Sequence, residues 1–278
     1  MFRKTYINTI KNLFRSPIFW MILVLVILNT FISASRGFLV GDTSEDFTVS
    51  YFLYLKLIPN ALCVWTMSYG IPLFAVISTM LAVSGDYKNG FYEIEKAGGV
   101  KPITYFTGRL CAIISVNFVV LTLNSYFAVY YYCLSRGLSG LTVNELIYDS
   151  IVRIFRLIIT CELPILLFYI GLSYMVTAVL KNGRLGVIVG SIYVVAMYVL
   201  KNNITYVMGA NTFSKYFWPL KSTAYQYVNF YDTEYIHPML YGYMTEPVRE
   251  ITTWILVFVL LSIVCYAICY VCTRRRQI

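Results

Sequence analysis

The chain has 278 residues, 59% hydrophobic and 13% charged, with a mean hydropathy of +0.69 and a net charge of +9. A soluble domain carries about a quarter of its residues charged, so this composition excludes an ordinary water-facing surface. It points to an all-α polytopic membrane protein. The positive charge would otherwise suggest nucleic acid, but in a membrane chain the distribution of charge matters more than its total.

A spanning helix needs about 20 mostly apolar residues, and six stretches are read as spans. Residues 1–16 precede them. Phe2, Tyr6, Ile10, Leu13 and Phe14 fall near one helical face, with Arg3, Lys4, Lys11 and Arg15 largely elsewhere, which predicts an amphipathic helix lying in the interface. The first span is 17–35. Ser33-Ala34-Ser35 resembles a signal-peptidase site, but the apolar core is long for a signal peptide. An outer loop leads to the second span, 60–83, with Gly70 and Pro72 inside it, where a kink is expected. A charged, glycine-punctuated segment, 85–101, joins it to the third span, 103–133. That span is long enough to tilt or to project beyond the bilayer.

The fourth span, 151–180, holds the single acid inside an apolar run, Glu162, two residues before Pro164. An acid in a bilayer is costly, and it is usually paired or functional. Glu162 lies six and nine positions from Arg156 and Arg153, so pairing along one helix is not assured. Its place in the outer third of the span suggests that water reaches it. The fifth span, 185–200, is expected to be short, and its Gly186-x-x-x-Gly190 pattern would let another helix approach closely. Residues 201–249 form an external segment rich in Tyr, Phe and Trp, expected to make short helices re-entering the outer interface. The sixth span is 251–271, and Arg274-Arg275-Arg276 follows it.

Six spans place both termini on one side. That side holds Arg3, Lys4, Lys11, Arg15, Lys88, Lys96, Lys101, Arg109, Lys181, Arg184 and the three terminal arginines, against Asp86, Glu93 and Glu95. Its balance is +10, which leaves −1 for everything else, and the positive-inside rule makes it cytoplasmic. The charge is thus a topology signal, and nucleic acid drops out.

Chemistry is sparse. His237 is the one histidine, so a histidine-based metal centre or catalytic triad is poorly supplied, and no metal site is expected. No G-x-x-x-x-G-K-[ST] loop occurs, so ATP hydrolysis is not expected in this chain. The seven cysteines lie in or at the ends of apolar runs, which argues against a disulfide framework. Cys265, Cys269 and Cys272 on the last span suit acylation or metal, but a free cysteine more often packs as a small hydrophobe.

A basic amphipathic helix, six spans, a large outer segment before the last, and a cytoplasmic connection reading acid-x-x-x-Gly-x-x-Glu together resemble an ABC-2-type transporter permease. Asp86, Gly90, Glu93, Pro102, Gly108 and Arg109 take the motif positions. Phe91 stands where that family usually has Thr, and Ala97-Gly98-Gly99 adds residues before Pro102. The resemblance implies a non-catalytic subunit of an ATP-driven exporter in the plasma membrane, of bacterial kind, with both termini cytoplasmic. Its implied partners are a second copy of this permease or a related one, and two ATPase subunits that carry the ATP and Mg; no cofactor is implied in this chain. Segment 85–101 becomes a coupling helix seated in the ATPase. Tyr87, Phe91, Tyr92 and Ile94 serve as anchors, with Asp86, Lys88, Glu93 and Glu95 for polar registration and Gly90 as the glycine of the motif. Gly98-Gly99 and Pro102 return the chain to the membrane. Gly186 and Gly190 become candidates for packing between permeases, and Glu162 a candidate polar group on the path. A peptide, an antimicrobial or another amphipathic compound suits the cargo. The alternative is an intramembrane enzyme or a sensor without an ATPase partner.

Overall fold

The computed structural model describes residues 2–37, 70–88, 97–135, 155, 158–207 and 248–275. These form seven α-helices and one π-helical turn, with no strand among the described residues. In chain order they are α1 (Phe2–Arg15), α2 (Pro17–Gly37), α3 (Gly70–Lys88), α4 (Pro102–Ser135), the π turn Ile158–Glu162, α5 (Leu163–Leu180), α6 (Gly183–Val207) and α7 (Val248–Arg275).

The break between α1 and α2 follows from Pro17. Its ring disfavours helical geometry at Ser16 and it has no N–H to give to Leu13, and the chain bends by 72° there. Trp20 Nε1 donates to the Phe14 carbonyl at 2.8 Å, and Phe14, Phe19 and Trp20 pack ring on ring across the elbow. α1 turns one side to the bundle and leaves another open. Thr5, Thr9 and Leu13 are the buried positions, whereas Phe2 and Phe14 are 44% and 43% exposed. Two threonines face inward because α1 lies against the first turns of α4, where only small side chains fit. A Cβ on Gly108 would sit 3.3 Å from both the Phe2 carbonyl oxygen and Thr5 Cβ.

By length and composition α4, α5 and α7 contain stretches able to cross a membrane, Pro102–Ala128, Leu163–Leu180 and Leu256–Arg274. The bent α1–α2 pair makes a fourth, and the apolar parts of α3 and α6, Gly70–Ser84 and Gly183–Ala196, are shorter. Exposed Met21, Leu25, Leu28 and Ile32 on α2, Ile188 and Ile192 on α6, and Leu260, Ile263 and Val264 on α7 give these helices apolar outer faces. Soluble proteins rarely expose such faces; hydrocarbon accepts them.

At 1.5 Å per residue α4 is about 51 Å long, longer than a hydrocarbon core of about 30 Å is thick. Its start is built as the sequence suggests: Gly99 takes φ 79°, a left-handed conformation that glycine adopts freely, and Pro102 opens the helix.

Two expectations change. The fourth span is not one plain α-helix, since Ile158–Glu162 is π-helical before α5 begins. Pro164 in the first turn of α5 has no N–H to donate backward, and a wider turn accommodates that loss. The fifth helix is longer than 185–200, because α6 runs on through Lys201, Asn202 and Asn203 to Val207. A helix need not stop where its apolar character does.

From α2 to α6, consecutive helices run in opposite directions. Asn29 of α2 meets Gly70 of α3, and Ile18 lines the same cavity as Ser84. Ser125 of α4 meets Glu162, and Phe106 meets Tyr174. Gly183 of α6 meets Ser84 of α3, and Gly190 meets Val76. α7 runs alongside α5 in the same direction, Phe168 against Phe258 and Gly171 against Cys265. α5 is the central helix, touching α3, α4, α6 and α7. It is 61% buried over its span, against 22% for α7.

Candidate functional site

Polar side chains collect inside this bundle among the buried apolar core, while further apolar side chains face out. Buried without exception are Ser78 and Thr79 of α3, Asn117, Asn124 and Ser125 of α4, Glu162, and Ser173 and Thr177 of α5. Asn117 Nδ2 donates to Ser78 Oγ and to the Ile113 carbonyl, both at 2.9 Å. Ser173 Oγ donates to the Val76 carbonyl at 3.0 Å, and Asn124 Nδ2 to Thr30 Oγ1 at 2.9 Å. The result is a polar seam that ties α2, α3, α4 and α5 together. Association between apolar helices gains little from burying more hydrocarbon, so such bonds and close packing hold the helices.

Glu162 belongs to this seam. It is 2% exposed, and Ser125 Oγ donates to its Oε2 at 3.4 Å. The sequence placed it within reach of water in the outer third of its span; the structure encloses it. The π turn is the reason: one extra residue per turn rotates the side chain off the face that an α-helix would give it and toward α4. Arg153 and Arg156 lie outside the described residues.

Asn117 and Asn124, seven residues apart, lie on one face of α4. That spacing was legible in the sequence and identifies the seam-facing side of the helix, but hydropathy averaging hides it. A double-mutant cycle with Ser78→Ala and Asn117→Leu, read by thermal denaturation in detergent, is expected to give a coupling of about 0.6 kcal/mol and no more than about 1.7. Additive losses would show that the pair does not act as a bond.

Gly186 and Gly190 are buried, and the helices they admit belong to the same chain. A Cβ at Gly186 would overlap Thr177 Oγ1 of α5, and one at Gly190 would lie 2.7 Å from Val76 Cγ1 of α3. The short α5–α6 turn forces this: Lys181 takes φ 53°, Asn182 Oδ1 accepts from the Arg184 N–H at 3.0 Å, and α6 folds straight back.

Of the coupling segment, Asp86 and Tyr87 fall in the last turn of α3. Gly90, Phe91, Tyr92, Glu93 and Ile94 lie outside the described residues, as does 208–247 of the aromatic segment. Arg109 is buried at 4% exposure, its guanidinium carbon 4.8 Å from the Tyr105 ring centroid, so it is an interior cation rather than a headgroup one. Cys265 and Cys269 are buried, Cys265 against Gly171. Among the described residues no group of three or more His, Cys, Asp or Glu converges as a metal centre would require.

The fold and seam define a chain whose described residues are helical, with several helices suited to a membrane. Compared with known protein families, curated proteins and solved structures, it matches none of them.

Proposed function

We propose that this chain is the membrane-spanning permease subunit of an ATP-driven exporter of the ABC-2 type, with six spans in the plasma membrane and both termini cytoplasmic. It pairs with a second permease and is driven through segment 85–101 by separate ATPase subunits. A peptide, an antimicrobial or another amphipathic compound is the cargo class.

One observation carries the reading: the basic groups gather at one end of the bundle. The opposed directions of α2 to α6 bring the α1–α2 elbow, the end of α3, the start of α4 and the α5–α6 turn to the same end. The parallel course of α7 and α5 adds the tail. Arg3, Lys4, Lys11, Arg15, Lys88, Lys101, Lys181, Arg184 and Arg274 lie on those pieces. Segment 85–101 leaves and re-enters the bundle there, beside α1. This supports a cytoplasmic face for the segment and six crossings in alternation. An ATPase docked there would push on α3 and α4 together, and through the polar seam on α2 and α5.

The test uses the full chain purified from its native membrane. It is expected to bring an ATP-hydrolysing subunit with it. Phe91→Ala combined with Glu93→Ala is expected to lower cargo-linked ATP hydrolysis about tenfold or more, as loss of a central anchor does. A chain that arrives without an ATPase, or hydrolysis indifferent to both changes, removes the exporter reading and favours an intramembrane enzyme or a sensor.

A further inference from the structure

The turn between α5 and α6 closes a cavity of about 590 Å³ against α2 and α3. Its walls are of two kinds. Ile18, Met80 and Leu81 make one apolar, whereas Lys181 and Arg184, with the Ser84 hydroxyl, make the other polar. No acid among the described residues lines it, and both cations are exposed to what approaches from outside.

The depth of the cavity matters as much as its chemistry. Val179 and Leu180, 55% and 45% exposed, end the apolar run of α5, and Lys181 follows directly. The cations therefore stand where hydrocarbon gives way to headgroups, and the apolar wall reaches inward from them. A small free anion would use only the cationic wall, and a zwitterionic lipid gains less than an anionic one from two cations. An amphiphile with an anionic head and an acyl chain uses both walls, and basic pockets between spanning helices bind such lipids.

We propose that this cavity is a binding site for an anionic phospholipid. The phosphate lies between Lys181 and Arg184, and the glycerol and upper acyl chain lie against Ile18, Met80 and Leu81. A lipid seated there bridges the α5–α6 turn to the last turns of α3, and so braces the helix from which segment 85–101 departs. The inference needs a membrane but not an ATPase, so it stands or falls separately from the exporter reading.

The experiment is native mass spectrometry of the full chain in detergent, titrated with phosphatidylglycerol or phosphatidylcholine, alongside thermal denaturation in the same mixtures. Phosphatidylglycerol is expected to bind in preference to phosphatidylcholine and to raise the Tm. Lys181→Gln with Arg184→Gln is expected to weaken that binding about 30-fold, the combined effect of two basic groups near a headgroup, and to abolish the Tm shift. Lys181→Arg with Arg184→Lys keeps both. Lys4→Gln with Lys11→Gln removes equal charge from α1 and is expected to change binding less than about 3-fold by the same reasoning. Equal loss in the α1 variant would show unspecific attraction to the basic end and overturn the site. So would an absence of preference between the lipids. Competition by glycerol 3-phosphate as strong as that of the lipid would overturn the lipid assignment and leave a small-anion site.

Discussion

Gly186→Ala is expected to lower the stability of the chain by about 1–3 kcal/mol, the usual range for overpacking, and Gly186→Leu to prevent α6 from seating at all. A Cβ at Gly186 overlaps Thr177 Oγ1, and it also comes within 3.1 Å of Thr177 Cβ and 3.3 Å of its Cα. The hydroxyl can rotate away, since Oγ1 makes no hydrogen bond among the described residues. The backbone of α5 cannot, because that helix is held by α3 and α7 as well. Thr177→Ala in the Gly186→Ala background is therefore expected to recover part of the loss and not all of it. Thermal denaturation in detergent reads both variants, and native mass spectrometry on the same samples reads their oligomeric state. If Gly186→Ala leaves the Tm unchanged but splits an oligomer, the glycine face packs between chains and the seating described here is wrong.

The second large effect is expected at Gly108, where α1 rests on α4. Its Cβ would meet the Phe2 carbonyl oxygen at 3.3 Å, a backbone atom that moves only if α1 moves. Gly108→Ala asks for a few tenths of an ångström, whereas Gly108→Leu lifts α1 from its seat. Thr5, Thr9 and Leu13 then lose their cover, and the helix keeps only its elbow contacts at Phe14, Phe19 and Trp20. Amide hydrogen exchange is the direct measurement. Exchange along α1 is expected to speed at least about tenfold in Gly108→Leu, as it does where a helix loses its packing, with little change in α5. Exchange that rises equally in α1 and α5 would mean that the whole bundle loosened, and α1 would not be a separately docked element.

Much of the fold was open to reading in the chain itself. Long apolar runs must become helices in hydrocarbon, because every backbone N–H and C=O has to be satisfied within the segment; residues 103–133 and 251–271 fall inside α4 and α7 for that reason. Pro17 dictates the elbow, and Gly98-Gly99 before Pro102 dictates the turn into α4, because both act through local backbone geometry. Apart from the Asn117–Asn124 spacing on α4, rotation about each helix axis was not legible. Hydropathy is nearly uniform around α4 and α5, so it does not say which face meets which neighbour. Which side of α1 meets the bundle was not legible for a related reason: its partner is a glycine 106 positions away from Phe2, and that partner selects threonines over larger residues.

Glu162, Gly186 and Gly190 carry the contrast. Their residue types alone mark an acid that has to be dealt with and a helix that admits a close neighbour. One group that meets the acid is Ser125, 37 residues away, brought opposite by a π turn that Pro164 favours. What fills the glycine groove is Thr177 and Val76 of the same chain, brought there by a two-residue turn. The composition thus determined the solvent and the element type, because transfer of apolar surface and backbone satisfaction are properties of each segment by itself. Only the tertiary structure decided the partners, because a buried hydrogen bond or a Cβ clearance depends on the positions of two helices at once.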